Sequence, residues 1–77
     1  MDERIFLEHF ASIFDEVEVE ELTMDTLFKD IDEWSSITAL GLLAVMEEEY
    51  EVALTHNDIK KSATIRDIYN IVEKGQK

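Results

Sequence analysis

Of the side chains that commonly hold metals, this sequence has two histidines, 19 carboxylates and no cysteine. His9 and His56 fall on different predicted helices and lack a His-x-x-x-His spacing, so no zinc site is expected. Asp30-x-Asp32 opens like a calcium loop. Ser35, however, stands where the sharp turn needs glycine, and Gly41 where the bidentate glutamate belongs. There is no glycine-rich phosphate loop, and no carboxylate pair stands apart from the general acidity, so the chain is not expected to be an enzyme. What remains is Ser35-Ser36, placed directly before the apolar run 37–46. A serine in the first turn of a helix lies beside unpaired backbone N–H groups and the positive end of the helix dipole. A phosphodiester attached there would be stabilised. Simple N-capping accounts for the same serine equally well.

Four helices must position this serine. Residues 2–16 carry Ile5, Phe6, Phe10, Ile13 and Phe14 at helical spacing, with Asp2 and Glu3 in the first turn, and predict an amphipathic helix with an aromatic inner face. Residues 17–34 lose that periodicity. They read as a long loop anchored by Leu22, Leu27, Phe28, Ile31 and Trp34, of a length that tends to be functional or to contain a short helical turn. The second helix starts at Ser35 or Ser36 and runs to about Tyr50. A short third helix begins at Thr55 or Asn57 and holds Ile59. A fourth is capped by Thr64 with Asp67 three residues on, buries Ile65, Ile68, Ile71 and Val72, and is stopped by Gly75. With Phe6, Phe10, Leu42, Val45, Met46, Ile59, Ile68 and Ile71 as core, the fold class is all-α, a small four-helix bundle in a single domain, 1–77.

Composition narrows the function. Seven basic residues against 19 acidic ones give a net charge of −12, which repels phosphate backbones and anionic lipid; no nucleic-acid or membrane partner is expected. Residues 1–51 hold 16 acids and 2 bases (−14), and residues 52–77 hold 3 acids and 5 bases (+2), so one end of the molecule suits a basic protein partner. An apolar fraction of 45% fits a globular domain and not an acidic disordered tail. The N-terminal residues lack the basic run and apolar block of a signal peptide. The apolar run 37–46 is too short to span a bilayer. A soluble, cytoplasmic monomer is expected.

The segment 32–50, Asp-Glu-Trp-Ser-Ser-Ile-Thr-Ala-Leu-Gly-Leu-Leu-Ala-Val-Met-Glu-Glu-Glu-Tyr, resembles the acyl carrier protein family. That family's motif is Asp-Ser-Leu at the head of the second helix, followed by an aliphatic run of fixed length and an acidic Glu-Glu-Glu-Phe/Tyr ending. Counting back from Tyr50 puts the family's modified serine on Ser36, with Ile37 for leucine and Ser35 for aspartate. The likeness extends to the aromatic first helix, the acidic loop with Leu27-Phe28 and Trp34, the short third helix and the closing Thr64-Ile65-Arg66-Asp67-Ile68. It implies a four-helix bundle of acyl-carrier type whose Ser36 receives 4′-phosphopantetheine from coenzyme A through a magnesium-dependent phosphopantetheinyl transferase. The arm's thiol would then hold acyl groups as thioesters, which explains how a chain without cysteine could take part in thiol chemistry.

By the same resemblance, Ile37, Leu40, Leu43, Ala44, Glu47 and Glu48, which fall with Ser36 near one side of the second helix, would meet acyl-loading and condensing enzymes through basic, apolar-edged patches. A solvated face accounts equally for Glu47 and Glu48. The family's acidic positions after the serine are here Thr38 and Gly41. The resemblance therefore points to a specialised carrier for fatty-acid, polyketide or other secondary-metabolite enzymes. Two alternatives stand beside it. A peptidyl or aminoacyl carrier is one, although its usual Gly-Gly-x-Ser approach is Glu33-Trp34-Ser35-Ser36 here. An unmodified acidic interaction module, in which Ser36 merely caps its helix, is the other.

Overall fold

The computed structural model describes residues 1–76, and every regular element among them is helical. Helix α1, Glu3–Ala11, starts where the Asp2 carboxylate accepts the Ile5 N–H at 3.0 Å. It ends five residues before the expected Glu16. The N–H groups of Ile13 and Phe14 bond three residues back instead of four. Those of Asp15 and Glu16 leave the helix altogether, donating to the two Glu33 carboxylate oxygens at 2.8 and 2.9 Å. Phe6, Phe10 and Phe14, spaced by four, point into the core. Ile5 does not: one residue off that row, it lies on the helix shoulder and is 47% exposed.

The long connection is ordered by two 3₁₀ turns, Val19–Glu21 and Phe28–Asp30. Leu22, Met24 and Phe28 are buried and Ile31 and Trp34 half-buried, whereas Leu27, expected as an anchor, is 51% exposed because its neighbour Phe28 takes the inward position. Carbonyls of this connection also complete another element. Thr26 O and Met24 O accept the N–H groups of Ile65 and Arg66 at 3.1 and 2.8 Å, supplying partners that the first turn of a helix lacks.

Helix α2 is Ser36–Tyr50, α3 His56–Lys61 and α4 Ile65–Gly75. Reciprocal capping boxes open α3 (Thr55 with Asp58) and α4 (Thr64 with Asp67). Asp67 accepts the N–H groups of Ala63 and Thr64 at 2.9 and 3.1 Å, and these bonds hold its carboxyl below the ordinary aspartate range. In α4 the buried row is Ile65, Ile68, Tyr69 and Val72. Ile71, expected inside, is half-buried, since the row turns through Tyr69 and Val72. Gly75 does not stop the helix in a left-handed turn but is its last residue. A Cβ there would sit 3.0 Å from Val52 Cγ1, so close packing accounts for the glycine. The left-handed residue is Glu51 (φ 57°, ψ 35°), which closes α2.

The layers meet in a chain of edge-to-face aromatic contacts. Phe6 meets Tyr69 at 5.2 Å between centroids, Phe10 meets Phe28 at 5.5 Å, and Phe28 meets Trp34 at 4.9 Å. Leu42, Met46, Ile59 and Ile68 join this core as expected, while Val45 remains half-buried at its edge. At the far end of α2, His9 Nδ1 lies 2.9 Å from the Tyr50 hydroxyl and ties α1 to α2. Burial, then the Glu49 charge, raises the Tyr50 phenol above its usual pKa.

Candidate functional site

Two adjacent serines stand at the head of α2, and only one of them caps it. Ser35, in extended conformation (φ −154°, ψ 178°), is the N-cap, and its hydroxyl accepts the Thr38 N–H at 3.3 Å. Buried Thr38 reinforces the cap. Its Oγ1 donates to Glu33 O at 2.8 Å and lies 3.2 Å from Ser35 Oγ. Ser36 is the first helical residue; it is exposed, and its hydroxyl makes no hydrogen bond to any described residue. The reading in which Ser36 caps the helix is therefore corrected: the cap is Ser35, because only the preceding residue has the extended backbone that turns its side chain back onto the N3 amide.

The electrostatics of this turn differ from those of the molecule. No acidic residue occupies the first turn of α2, and the N–H groups of Ser36 and Ile37 have no intrahelical acceptor. An anion carried on Ser36 thus meets the positive end of a 15-residue helix inside a chain of net charge −12. The neighbouring acid, Glu33, is turned onto the Asp15 and Glu16 amides.

From Ser36 an exposed strip runs along α2. At about 100° per residue, Leu40, Ala44, Glu47 and Glu48 wind down one side of the helix within about 120° of Ser36. All four are exposed. Ile37 is 79% exposed and Leu40 56%, so two large aliphatic side chains flank the serine in water. Leu43, expected on this strip, is half-buried and packs against the core, because it lies on the opposite side of Ser36 from Ile37. Glu47 and Glu48 make no salt bridge to any described residue, whereas Glu49 lies 3.6 Å from His9 Nε2. Thr38 and Gly41 are not on the strip: Thr38 is buried and Gly41 half-buried against Ile13.

Beside the strip, between the end of α1 and α2, lies an open groove of about 600 Å³ lined in part by Ile13, Asp15, Glu33, Gly41 and Val45. Sequence reasoning missed it, together with the Glu33 clasp. Nothing in the local pattern says that a carboxylate will reach back across 17 residues to a helix end. Among the described residues no group of three His, Cys, Asp or Glu side chains could hold a metal ion, and no helix is long and apolar enough to cross a membrane. No protein-family model matches the chain, and no solved structure matches it at a significant level.

Proposed function

We propose that this chain is an acyl carrier protein, a four-helix bundle of that type, whose Ser36 hydroxyl takes a 4′-phosphopantetheine arm. The observation that carries this reading is that Ser36 is exposed and unbonded at the first position of α2 while Ser35 does the capping. A hydroxyl needed for structure is poorly placed to be a nucleophile; this one is not needed. Its surroundings suit the product as well, since the new phosphodiester would sit against free amide N–H groups with no acid in the same turn. The exposure of Ser36 supports attachment of the arm from the surface. When bound, the arm supplies the thiol that the chain lacks.

The part of the protein in this account is to present, not to catalyse. Tethering raises the effective concentration of one cargo at each enzyme that docks. Ile37, Leu40 and Ala44 form the apolar part of the docking strip, and Glu47 and Glu48 its charged end, about 16 Å from Ser36 along the helix. The transferase and the acyl-loading and condensing enzymes are its partners. The test is intact mass after incubation with coenzyme A, magnesium and a broad-specificity phosphopantetheinyl transferase. One phosphopantetheine is gained by the natural chain and by Ser35→Ala, and none by Ser36→Ala. No gain with any transferase leaves the unmodified interaction module as the reading.

A further inference from the structure

Gly41, half-buried beside the exposed strip of α2, faces Ile13 with its missing Cβ 3.8 Å from the Ile13 Cβ. A helix-favouring residue would fit there, and glycine costs about 1 kcal/mol of helix stability relative to alanine. What the glycine leaves open is the groove between the end of α1 and α2. Its lining mixes aliphatic side chains such as Ile13 and Val45 with Ser12, Ser35 and Thr38, and Asp15 and Glu33 bring carboxylates to it. No basic residue lines it. The Glu33 carboxylate is held in place, because it accepts the Asp15 backbone N–H at 2.8 Å and that of Glu16 at 2.9 Å. A carboxylate has about four acceptor positions, so Glu33 retains capacity for another donor while it does this. Asp15 is exposed and makes no side-chain hydrogen bond or salt bridge to any described residue. The groove also continues the docking strip, since Ile37 and Ala44 line both.

Aliphatic side chains beside two carboxylates, one of them held in place, match one kind of occupant: a long aliphatic stem ending in a cation. We infer that the groove receives an arginine or lysine side chain of the enzymes that dock on α2 to act on Ser36. The stem would lie along Ile13, Gly41 and Val45 and the cation against Asp15 and Glu33. This extends the docking surface from α2 to the end of α1, gives Gly41 a role, and moves the anionic contact from the α2 turns where the family carries acids to the groove. For the identity of the partner it rests on the carrier reading above.

The test has two readouts. First, amide chemical shifts of the unmodified chain are followed during titration with n-butylguanidinium, with neutral n-butylurea in parallel. Saturable shifts are expected at Ile13, Asp15, Thr38, Gly41 and Val45, weaker by about two- to fivefold in Asp15→Asn, as for a partly exposed charge pair, and absent in Gly41→Leu and with butylurea. Shifts that spread without saturation over the acidic surface, or that survive in Gly41→Leu, overturn the proposal. Second, modification of Ser36 by the transferase is expected to show a KM raised at least threefold in Gly41→Leu with kcat unchanged; an unchanged KM overturns it. Asp15→Asn, an exposed isosteric change, serves where Gly41→Leu fails to fold. The titration needs no modified serine, so a failed groove and a failed carrier reading are told apart.

Discussion

Replacing each of the two serines at the head of α2 by alanine separates structure from chemistry. Ser35 Oγ accepts the Thr38 N–H at 3.3 Å and lies 3.2 Å from Thr38 Oγ1. Removing it leaves an N3 amide without its cap, which costs about 1 kcal/mol, within a range of roughly 0.5–2. Thr38 keeps its bond to Glu33 O, so the loss stays near the middle of that range. For a domain of this size 1 kcal/mol lowers Tm by about 4–8 °C. Ser36→Ala removes an exposed hydroxyl with no described partner and replaces serine by the best helix former, so stability changes by less than about 0.5 kcal/mol. The assay is urea unfolding followed in parallel by helical circular dichroism and by Trp34 emission, which reports the Phe28–Trp34 contact. Equal or greater destabilisation by Ser36→Ala would make Ser36 the cap, and the argument for a free hydroxyl would fail.

Three further outcomes follow from the same geometry. Glu51→Gly relieves a left-handed glutamate, which costs about 1–2 kcal/mol, and removes a negative charge from the negative end of α2; after the entropy cost of glycine, a gain of about 0.5–1 kcal/mol is expected in urea unfolding. The lowered carboxyl of Asp67 contributes stability that is fully present above the unfolded aspartate pKa of about 3.9 and is lost as pH falls through its lower folded value; Asp67→Asn should therefore be less stable than the natural chain at neutral pH, and the gap should narrow only below about pH 4, as read from unfolding curves across pH. Ile37→Asp or Leu40→Asp should leave stability within about 0.5 kcal/mol while raising the transferase KM, because both side chains are already in water in the free protein; an unchanged KM would remove them from the docking strip.

Much of the helical order was legible from capping chemistry and periodicity. Thr64 with Asp67 caps α4 as expected, Thr55 is the one of the two expected starts that caps α3, and the serine pair opens α2. What was not legible depends on contacts distant in sequence. The early end of α1 is set by Glu33, and the order of the long connection by the amides of Ile65 and Arg66, neither of which local spacing reveals. Leu27 and Phe28 are adjacent apolar residues of which one is buried, and only the packing of Phe28 between Phe10 and Trp34 decides which. At the site, the serine was singled out by its place before the apolar run. Its partition into cap and free hydroxyl required the backbone angles of Ser35. Gly41, which stands where the resembled family carries an acid, has a definite neighbour in Ile13.

One oxygen atom, Ser36 Oγ, decides the carrier proposal. The natural chain, treated with coenzyme A, magnesium and a broad-specificity transferase, is cleaved to peptides and the modified peptide fragmented until the phosphopantetheine is assigned to one residue of the Ser35-Ser36 pair. The group is expected on Ser36 alone, with Ser35 unmodified at full conversion. Modification at Ser35, or at both serines, would contradict it, since the capping hydroxyl would then be the nucleophile.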